Sequence, residues 1–274
     1  MTLDSKLVGQ PANHDTDLWY DHPYFYDLGF QDTAEQETCF LKSVIERHGR
    51  SDTRRVLEAG CGTGRLVVRL AELGYEVAGF DLNRSALAFL RQRLVERGLQ
   101  ADIFEADMSS FRVPRKFDML LNPLNTFRHL LTEEAALGHL QCVAASLKQG
   151  GLFVLSLHVM PHDADGDCIE RWKADDGTTR VSYTLRVLSW NRRSRIERLR
   201  ISMLIRDSAQ SERRLRSEME LRTYSLAQLK KLLAKVPELR LIESYDFWYE
   251  IDEPIPLSPD VSDIVLVMQK VKAT

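Results

Sequence analysis

The sequence lacks three features that would mark a membrane or secreted protein. None of its apolar runs, of which Gly151–Leu157 and Ile264–Met268 are examples, approaches the roughly 20 residues that cross a bilayer. The opening Met1–Lys6 has no basic segment followed by an apolar one, as a secretory signal would have. Cysteine is scarce and widely spaced, without a Cys-x-x-Cys pair or the density of a disulfide scaffold: Cys39, Cys61, Cys142 and Cys168. We therefore expect a cytoplasmic chain with reduced thiols and no membrane partner.

A large excess of charge of one sign is also absent. The formal net charge of -3 and the isoelectric point near 6.2 give no overall reason to expect a polyanionic partner. With 274 residues, of which 44% are hydrophobic and 28% charged, the chain can bury one large core or two modest ones. Disordered and fibrous architectures are excluded.

Residues 55–151 alternate short apolar runs with amphipathic stretches, which is typical of repeated βα units around a parallel sheet. Helices are predicted over Arg65–Leu73 and Ser85–Arg97, and a third begins at Thr132 and ends at Gly150-Gly151. The predicted strands of this half are Val56–Ala59, Tyr75–Phe80, Ile103–Phe104, Phe117–Leu121 and Leu152–Leu157.

After an irregular loop the apolar period changes to two. Three antiparallel strands with one buried face are predicted between Thr179 and Thr223. A capping box at Ser225 opens a helix over Leu226–Lys235, and two more strands follow at Leu239–Tyr249 and Asp263–Val271. The loop between these two strands is too short for a crossover helix, so we expect the last strand to be antiparallel.

A glycine loop, Glu58-Ala59-Gly60-Cys61-Gly62-Thr63-Gly64, lies between the first strand and the first helix. Asp81 ends the second strand about 20 residues later, the spacing of a carboxylate that binds ribose hydroxyls. Two residues argue against a dinucleotide cofactor. The dinucleotide-binding pattern would have its third glycine at position 65, where this sequence has Arg65, and the Glu58 carboxylate would repel a pyrophosphate. The loop therefore indicates an adenosine-containing cofactor with a cationic part.

These residues resemble the class I S-adenosylmethionine-dependent methyltransferase family over Val56–Leu157 and the elements after Ser225. The resemblance implies that Glu58 and the glycine-loop backbone face the methionine part and that Asp81 holds the ribose. It further implies that Asp107 and the Met108 amide contact adenine, and that the Asn122 backbone holds the methionine amine. The implied cofactor-binding residues are Glu58, Gly60, Cys61, Gly62, Gly64, Asp81, Leu82, Asp107, Met108 and Asn122.

The family's fold is an α/β, Rossmann-like sheet of seven strands whose last strand is antiparallel, with helices on both faces. We therefore predict a methyltransferase core over residues 51–160 and 224–274, an N-terminal helical cap or lid over 1–50, and an inserted antiparallel β subdomain over 161–223. This layout resembles the small-molecule branch, which includes sugar-amine N-methyltransferases. The resemblance implies methyl transfer from S-adenosylmethionine, by in-line displacement, to a nitrogen or oxygen of a small molecule, with S-adenosylhomocysteine as product.

Two residues are candidates for catalysis. His158, at the end of strand five, could accept the proton of the methyl acceptor, although a histidine bound to backbone is the alternative. Tyr26 lies in the aromatic run Trp19–Asp27, which could close over the cofactor as a lid or pack on the core as an amphipathic helix. Candidate substrate contacts, each with an ordinary loop or core role as alternative, are Tyr20, Tyr24, Asn125, Arg128, Trp248 and Tyr249.

A metal site is not predicted. His158 and His162 are four residues apart beside Asp163, but Pro161 breaks the helix that would bring the two imidazoles onto one face.

The inserted segment is rich in arginine. Residues 180–222 hold twelve arginines, no lysine and five acidic residues, which could mark a phosphate-bearing substrate or RNA. The solvated face of a sheet would carry the same residues. One alternative function is therefore an RNA or protein methyltransferase. A second is a non-catalytic adenosine-ligand binder, but the intact cofactor loop argues against it. The sheet could also pair two subunits into a homodimer.

Overall fold

The computed structural model describes residues 18–161, 164, 166, 168–208 and 211–272, with the Asp32 side chain excepted. This part opens with a 3-10 helix, Trp19–Asp21, and two α-helices, α1 (Pro23–Leu28) and α2 (Gln31–His48). Pro23 suits the first position of α1 because its fixed φ matches a helix and an amide proton there would have no intrahelical acceptor. No helix in the described ranges is long and apolar enough to cross a membrane.

The predicted alternation of strands and helices is present in the first half. Its elements are β1 (Arg55–Ala59), α3 (Arg65–Glu72), β2 (Glu76–Asp81), α4 (Arg84–Glu96), β3 (Asp102–Glu105), β4 (Phe117–Asn122), a 3-10 helix (Thr126–His129), α5 (Glu133–Ser146) and β5 (Leu147–His158). An inserted sheet follows, made of β6 (Ile169–Asp175), β7 (Thr179–Asn191), β8 (Ile196–Asp207) and β9 (Glu212–Arg222). The chain then continues with α6 (Leu226–Leu233), β10 (Leu239–Tyr245) and β11 (Asp263–Lys270).

The core sheet has seven strands in the order β10-β11-β5-β4-β1-β2-β3. The pairs from β5 to β3 are parallel, whereas β11 is antiparallel to both β5 and β10. The predicted fold, with an antiparallel last strand, is confirmed.

The predicted end of the third helix is wrong. The helix ends at Ser146, and residues 147–158 are strand β5. Gly150 adopts a φ of +77°, and a Cβ at Gly151 would lie 3.0 Å from the Asp118 carbonyl, so the glycines belong to an irregularity where β5 meets β4. Glycine after a helical pattern indicates a helix end, but here it marks a strand bulge.

Helices cover both faces of the core sheet because alternate strand residues point to opposite sides. Leu57, Leu120 and Phe153 are buried on one face with apolar side chains of α5 and α6. Their neighbours along the strands, Val56 and Met119 among them, are buried on the other face with α2, α3 and α4. Both faces of the sheet are covered by helices, so a ligand can reach the sheet only at the ends of its strands.

The inserted sheet is antiparallel with the order β6-β7-β8-β9, one strand more than the three predicted. Val181 and Tyr183 on β7 and Ile201 and Met203 on β8 form its apolar face. They bury Trp19 and the helix that follows it, so the N-terminal aromatic run packs between the inserted sheet and the core. The strand β6 was not predicted because only a short part of it, around Trp172 and Ala174, alternates apolar with charged residues.

The outward face of this sheet carries most of the strand arginines, whereas Arg222 is buried and Arg195 pairs with Glu133 of α5. Arg198 and Arg200 both pair with Glu218, and Arg206 and Arg214 both pair with Glu212. Two glutamates thus pair with four of the twelve arginines, and the insert keeps a net positive charge. The homodimer through this sheet stays a prediction.

Candidate active site

The glycine loop turns sharply from β1 into α3, and three of its residues have left-handed backbones. Gly60, Gly62 and Gly64 have φ values of +67°, +50° and +76°. A Cβ at Gly60 would lie 2.4 Å from Cγ2 of Thr126, and one at Gly64 would lie 2.1 Å from Cδ1 of Leu90. Gly60 therefore lets the loop approach the turn after β4, and Gly64 lets α3 pack against α4.

A cavity of about 650 Å³ opens beside this loop. Six of the ten predicted cofactor residues line it: Gly60, Gly62, Asp81, Leu82, Asp107 and Met108. The other four, Glu58, Cys61, Gly64 and Asn122, are not among its lining residues. Cys61 is buried with its thiol toward Gly79, and burial raises the pKa of that thiol. A cavity of this volume accommodates a ligand of the size of an adenosine cofactor with room beside it.

Asp81 ends β2 at the rim of the cavity. Its Oδ2 accepts a hydrogen bond from the Gly62 amide and its Oδ1 one from the Asn83 amide, each at 2.8 Å. These bonds fix the carboxylate and leave a lone pair on each oxygen for ligand hydroxyls. Burial raises the pKa of Asp81 despite the two amide donors.

Two buried acceptors at the base of the loop have no hydrogen-bond partner among the described residues, Oε2 of Glu58 and Oδ1 of Asn122. Burial raises the pKa of Glu58 to about 8, with Arg65 opposing the shift. The Asn122 amide nitrogen donates to the Ala59 carbonyl at 3.1 Å, which holds the end of β4 against the loop. Buried acceptors without a partner are costly, so each of these oxygens would gain from a hydrogen-bond donor on a ligand.

Asp107 and Met108 follow β3, the strand next to β2, and line the cavity near Asp81. The Asp107 carboxylate accepts the Ser109 amide at 2.7 Å, and Nδ1 of the buried His139 lies 3.1 Å from the Met108 carbonyl. Burial lowers the pKa of His139 to about 4, so the ring is neutral and can donate that hydrogen bond.

The N-terminal aromatic run forms part of the cavity wall. Trp19 packs on the inserted sheet, whereas Tyr20 and Tyr26 line the cavity. Asp21 of the same segment accepts a hydrogen bond from the Asn83 side chain at 2.8 Å. The run therefore packs as one of its two predicted alternatives requires and also contributes to the cavity lining, while its closing over the cofactor as a lid stays a prediction.

His129, which the sequence did not single out, also lines the cavity. Its Nε2 lies 3.0 Å from the Tyr20 hydroxyl, which also contacts the Met219 sulfur at 3.8 Å. Burial, and to a lesser extent repulsion from Arg128, lowers the pKa of His129 to about 4. Burial raises the pKa of Tyr20 above its usual range. Burial also raises the pKa of Tyr26 to about 12. The pair is therefore neutral at physiological pH.

Three further predicted residues face a second cavity of about 250 Å³, between the end of β5 and the inserted sheet: Asn125, Arg128 and His158. The His158 Nδ1 contacts the Asp263 carboxylate, and its backbone amide donates to the Asn125 side chain at 2.7 Å. The catalytic role of His158 stays a prediction, and its ring does not line the larger cavity.

The remaining predicted contacts lie away from both cavities. Tyr24 donates its hydroxyl to Asp176 in the β6–β7 turn, Trp248 is 73% exposed, and Tyr249 packs on Phe40 of α2. His162 and Asp163 lie outside the described residues. Within the described ranges, no group of three potential metal-binding side chains comes together.

Residues 56–151 match the family described as a methyltransferase domain. An S-adenosylmethionine-dependent methyltransferase from Clostridium acetobutylicum ATCC 824 is 19% identical, with a TM-score of 0.74 over 93% of this chain and 99% of that one. The S-adenosylmethionine-bound amino pentose methyltransferase of Micromonospora echinaspora is also 19% identical, with a TM-score of 0.67 over 98% and 100%. Residues 56–151 are thus similar to a methyltransferase domain, and the chain has the fold of S-adenosylmethionine-dependent methyltransferases.

Relatives within this class narrow the comparison. The dTDP-3-amino-3,4,6-trideoxy-α-D-glucopyranose N,N-dimethyltransferase of Streptomyces venezuelae is 27% identical over 175 residues, 61% of this chain and 70% of that protein. The cypemycin N-terminal methyltransferase of a Streptomyces species is 33% identical over 111 residues, 40% of this chain and 44% of that protein. The chain spans about half the length of the first curated relatives it matches, at 55% and 44%.

S-adenosylmethionine is the cofactor of this class, and the residues present fit it. Its ammonium group would satisfy the unpartnered acceptors of Glu58 and Asn122, and its ribose hydroxyls would suit Asp81. A Cβ at Gly62, which lines the cavity, would meet only Oδ2 of Asp81, at 4.0 Å, so the loop backbone there is open to a ligand.

Proposed function

We propose that this protein transfers a methyl group from S-adenosylmethionine to an amine nitrogen of a small molecule. The observation that carries the proposal is the neutral Tyr20–His129 pair, which faces the same cavity as the glycine loop. Among the described lining residues of that cavity there is no lysine or arginine to repel a protonated amine. The likeness to a dTDP-amino-sugar N,N-dimethyltransferase supports an amine in preference to a hydroxyl.

The cofactor supplies an electrophilic methyl group on a sulfonium, and the sulfur leaves with the bonding electron pair. The protein's part is to align the acceptor nitrogen with that methyl group and to exclude water, which can provide much of the rate enhancement. Tyr20 and Tyr26 offer aromatic faces that attract a cationic amine or sulfonium.

An amine attacks only after losing a proton, and we assign its acceptance to His129. The ring is unprotonated at physiological pH because its pKa is about 4, and it lies inside the cavity. Proton transfer from an ammonium group to a base this weak is uphill, so the step requires that the ring pass the proton on to solvent. His158 has the Asp263 carboxylate as partner but faces the second cavity, so His129 is the better placed of the two.

Methylation of RNA is less well supported. The arginines of the insert lie mainly on the outward face of the sheet, away from the cavity that its apolar face helps to close. Several of them are also paired with glutamates. A long polyanion on that face would not place a base in the cavity.

Calorimetric titration with S-adenosylmethionine and S-adenosylhomocysteine tests the cofactor site. Both should bind the wild type, and Asp81→Ala should lose on the order of tenfold or more in affinity because each lost hydrogen bond to a charged group is worth about 1.5–3 kcal/mol. Asp102→Ala, which removes an exposed carboxylate outside the cavity, is the matched control. Absence of binding to the wild type would refute the proposal.

Transfer of labelled methyl groups to a panel of acceptors tests the reaction. We expect label in dTDP-amino sugars or other small amines, and not in matching alcohols or in transfer and ribosomal RNA. His129→Asn should lower kcat on the order of 100-fold if the ring takes the proton. Labelling of RNA but not of amines would favour the alternative function, and binding without transfer to any acceptor would favour a non-catalytic role.

A further inference from the structure

Arg128 and His129 are neighbours in the 3-10 helix Thr126–His129 but face opposite sides of it. His129 lines the larger cavity, whereas Arg128 faces the second cavity and the inserted sheet. The Arg128 residue is only 4% exposed although its guanidinium is always charged. A buried charge of this kind needs fixed partners.

Its partners come from two strands of the inserted sheet. Arg128 Nη2 donates to the carboxylate of Glu197 on β8, which is itself buried. The Arg128 Nε donates to the carbonyl of Arg222 at the end of β9, at 3.0 Å. Because the guanidinium is rigid and planar, these two bonds fix its orientation and therefore the turn that carries it.

The same sheet also holds the partner of His129. Met219 on β9 contacts the Tyr20 hydroxyl, and the hydroxyl of Ser217 on the same strand accepts the backbone amide of Trp19 at 3.2 Å. The inserted sheet thus contacts Tyr20 directly, through Met219 on β9. It is connected to His129 through the neighbouring residue, Arg128, which bonds to β8 and β9.

We propose that Glu197 and Arg128 are positioning residues, through which the inserted sheet holds His129 against Tyr20 at the acceptor end of the cavity. The inference rests on the proposed function, since it assigns a purpose to the His129 position. It also replaces the predicted role of Arg128 as a substrate contact, because its guanidinium is already bound on two sides.

The test follows the imidazole signals of His129 by nuclear magnetic resonance of the full chain labelled at histidine, with S-adenosylhomocysteine present. His129→Asn identifies the signals among the seven histidines, and Tyr20→Phe shows where they move when the Tyr20 contact is lost. In Glu197→Gln they should move toward the Tyr20→Phe position while the affinity for S-adenosylhomocysteine stays at the wild-type value. The matched control is Glu218→Gln, which breaks ion pairs on the outward face of the same sheet and should leave the signals in place.

Arg128→Lys is the second variant, in case Glu197→Gln does not fold. It retains the buried positive charge but loses the forked contact, so the same movement is expected. Once an amine acceptor is known, both variants should lower kcat on the order of 100-fold, with little change in the KM for S-adenosylmethionine, because a small misplacement near the reacting atoms is costly.

Unmoved His129 signals in a folded variant would overturn the proposal, whatever its thermal stability, and so would an equal movement in Glu218→Gln. The resonance and binding measurements need no methyl transfer. A failure of the proposed function, seen as no methylation of any amine, is therefore distinguishable from a failure of this inference.

Discussion

The close approach of the glycine loop to the turn after β4 can be tested by adding one methyl group at Gly60. This residue has a left-handed backbone, and a Cβ on it would lie 2.4 Å from Cγ2 of Thr126 and 3.3 Å from the sulfur of Met108. Gly60→Ala therefore combines a backbone strain with a steric clash.

The two costs can be estimated separately. A left-handed backbone costs an L-residue about 1 kcal/mol or somewhat more. Forcing an extra methyl group into a packed site costs about 1–3 kcal/mol. We therefore expect Gly60→Ala to lower the free energy of unfolding by about 2–4 kcal/mol. Because the strain lies in the cofactor loop, the affinity for S-adenosylhomocysteine should fall on the order of tenfold or more.

Urea unfolding and calorimetry measure the two effects, and the chain offers a matched control. Gly74→Ala has a φ of +83° but no atom within 4 Å of the new Cβ, so it shows the backbone strain alone at the far end of α3. Thr126→Ser removes the clashing Cγ2 and should restore the steric part in the double variant. The reasoning is refuted if Gly60→Ala costs no more than Gly74→Ala, or if Thr126→Ser restores nothing.

Three further predictions concern buried and exposed side chains. Glu37→Gln should lower the free energy of unfolding by about 3 kcal/mol in urea, because it leaves Arg65 charged and buried without its bidentate partner. Burial raises the pKa of Glu58 to about 8 from 4.5, so the free energy of unfolding should fall as pH rises between these values, and Glu58→Gln should remove that slope. Trp248→Ala, at an exposed site, should change stability by less than about 0.5 kcal/mol and leave cofactor binding intact. A flat pH profile, or a marked loss in Trp248→Ala, would contradict these assignments.

The core sheet could be predicted because its signals are local. The glycine loop, the acidic residue after β2 and the short connection before β11 each depend on neighbouring residues, and the structure has the corresponding elements. Arg65 shows the limit of that information. From the sequence, Arg65 shows only that the third glycine of a dinucleotide-binding pattern is missing. The fold is needed to show that this arginine pairs with Glu37 on α2.

The acceptor end of the cavity could not be predicted in the same way. Both Arg128 and His129 lie just past the strand end, and the sequence favoured the arginine as the substrate contact. Consecutive residues of a 3-10 helix point about 120° apart, so the choice between them depends on how the turn is rotated against the inserted sheet. On that sheet Arg128 contacts Glu197, which lies 69 positions later in the chain, and no local pattern encodes this contact.

The packing of the N-terminal aromatic run on β9 has a consequence for the order in which the protein folds. The Trp19 amide and the Ser217 hydroxyl that accepts it are separated by 198 positions, and Tyr20 and Met219 by 199. Contacts between such distant segments form late, because a long loop must close before they contribute stability. During synthesis the glycine loop can assemble with β1 to β5, but the wall opposite it must wait until β9 has left the ribosome. A chain halted before β9 would thus have the glycine loop but lack the part of the cavity wall that Met219 contributes.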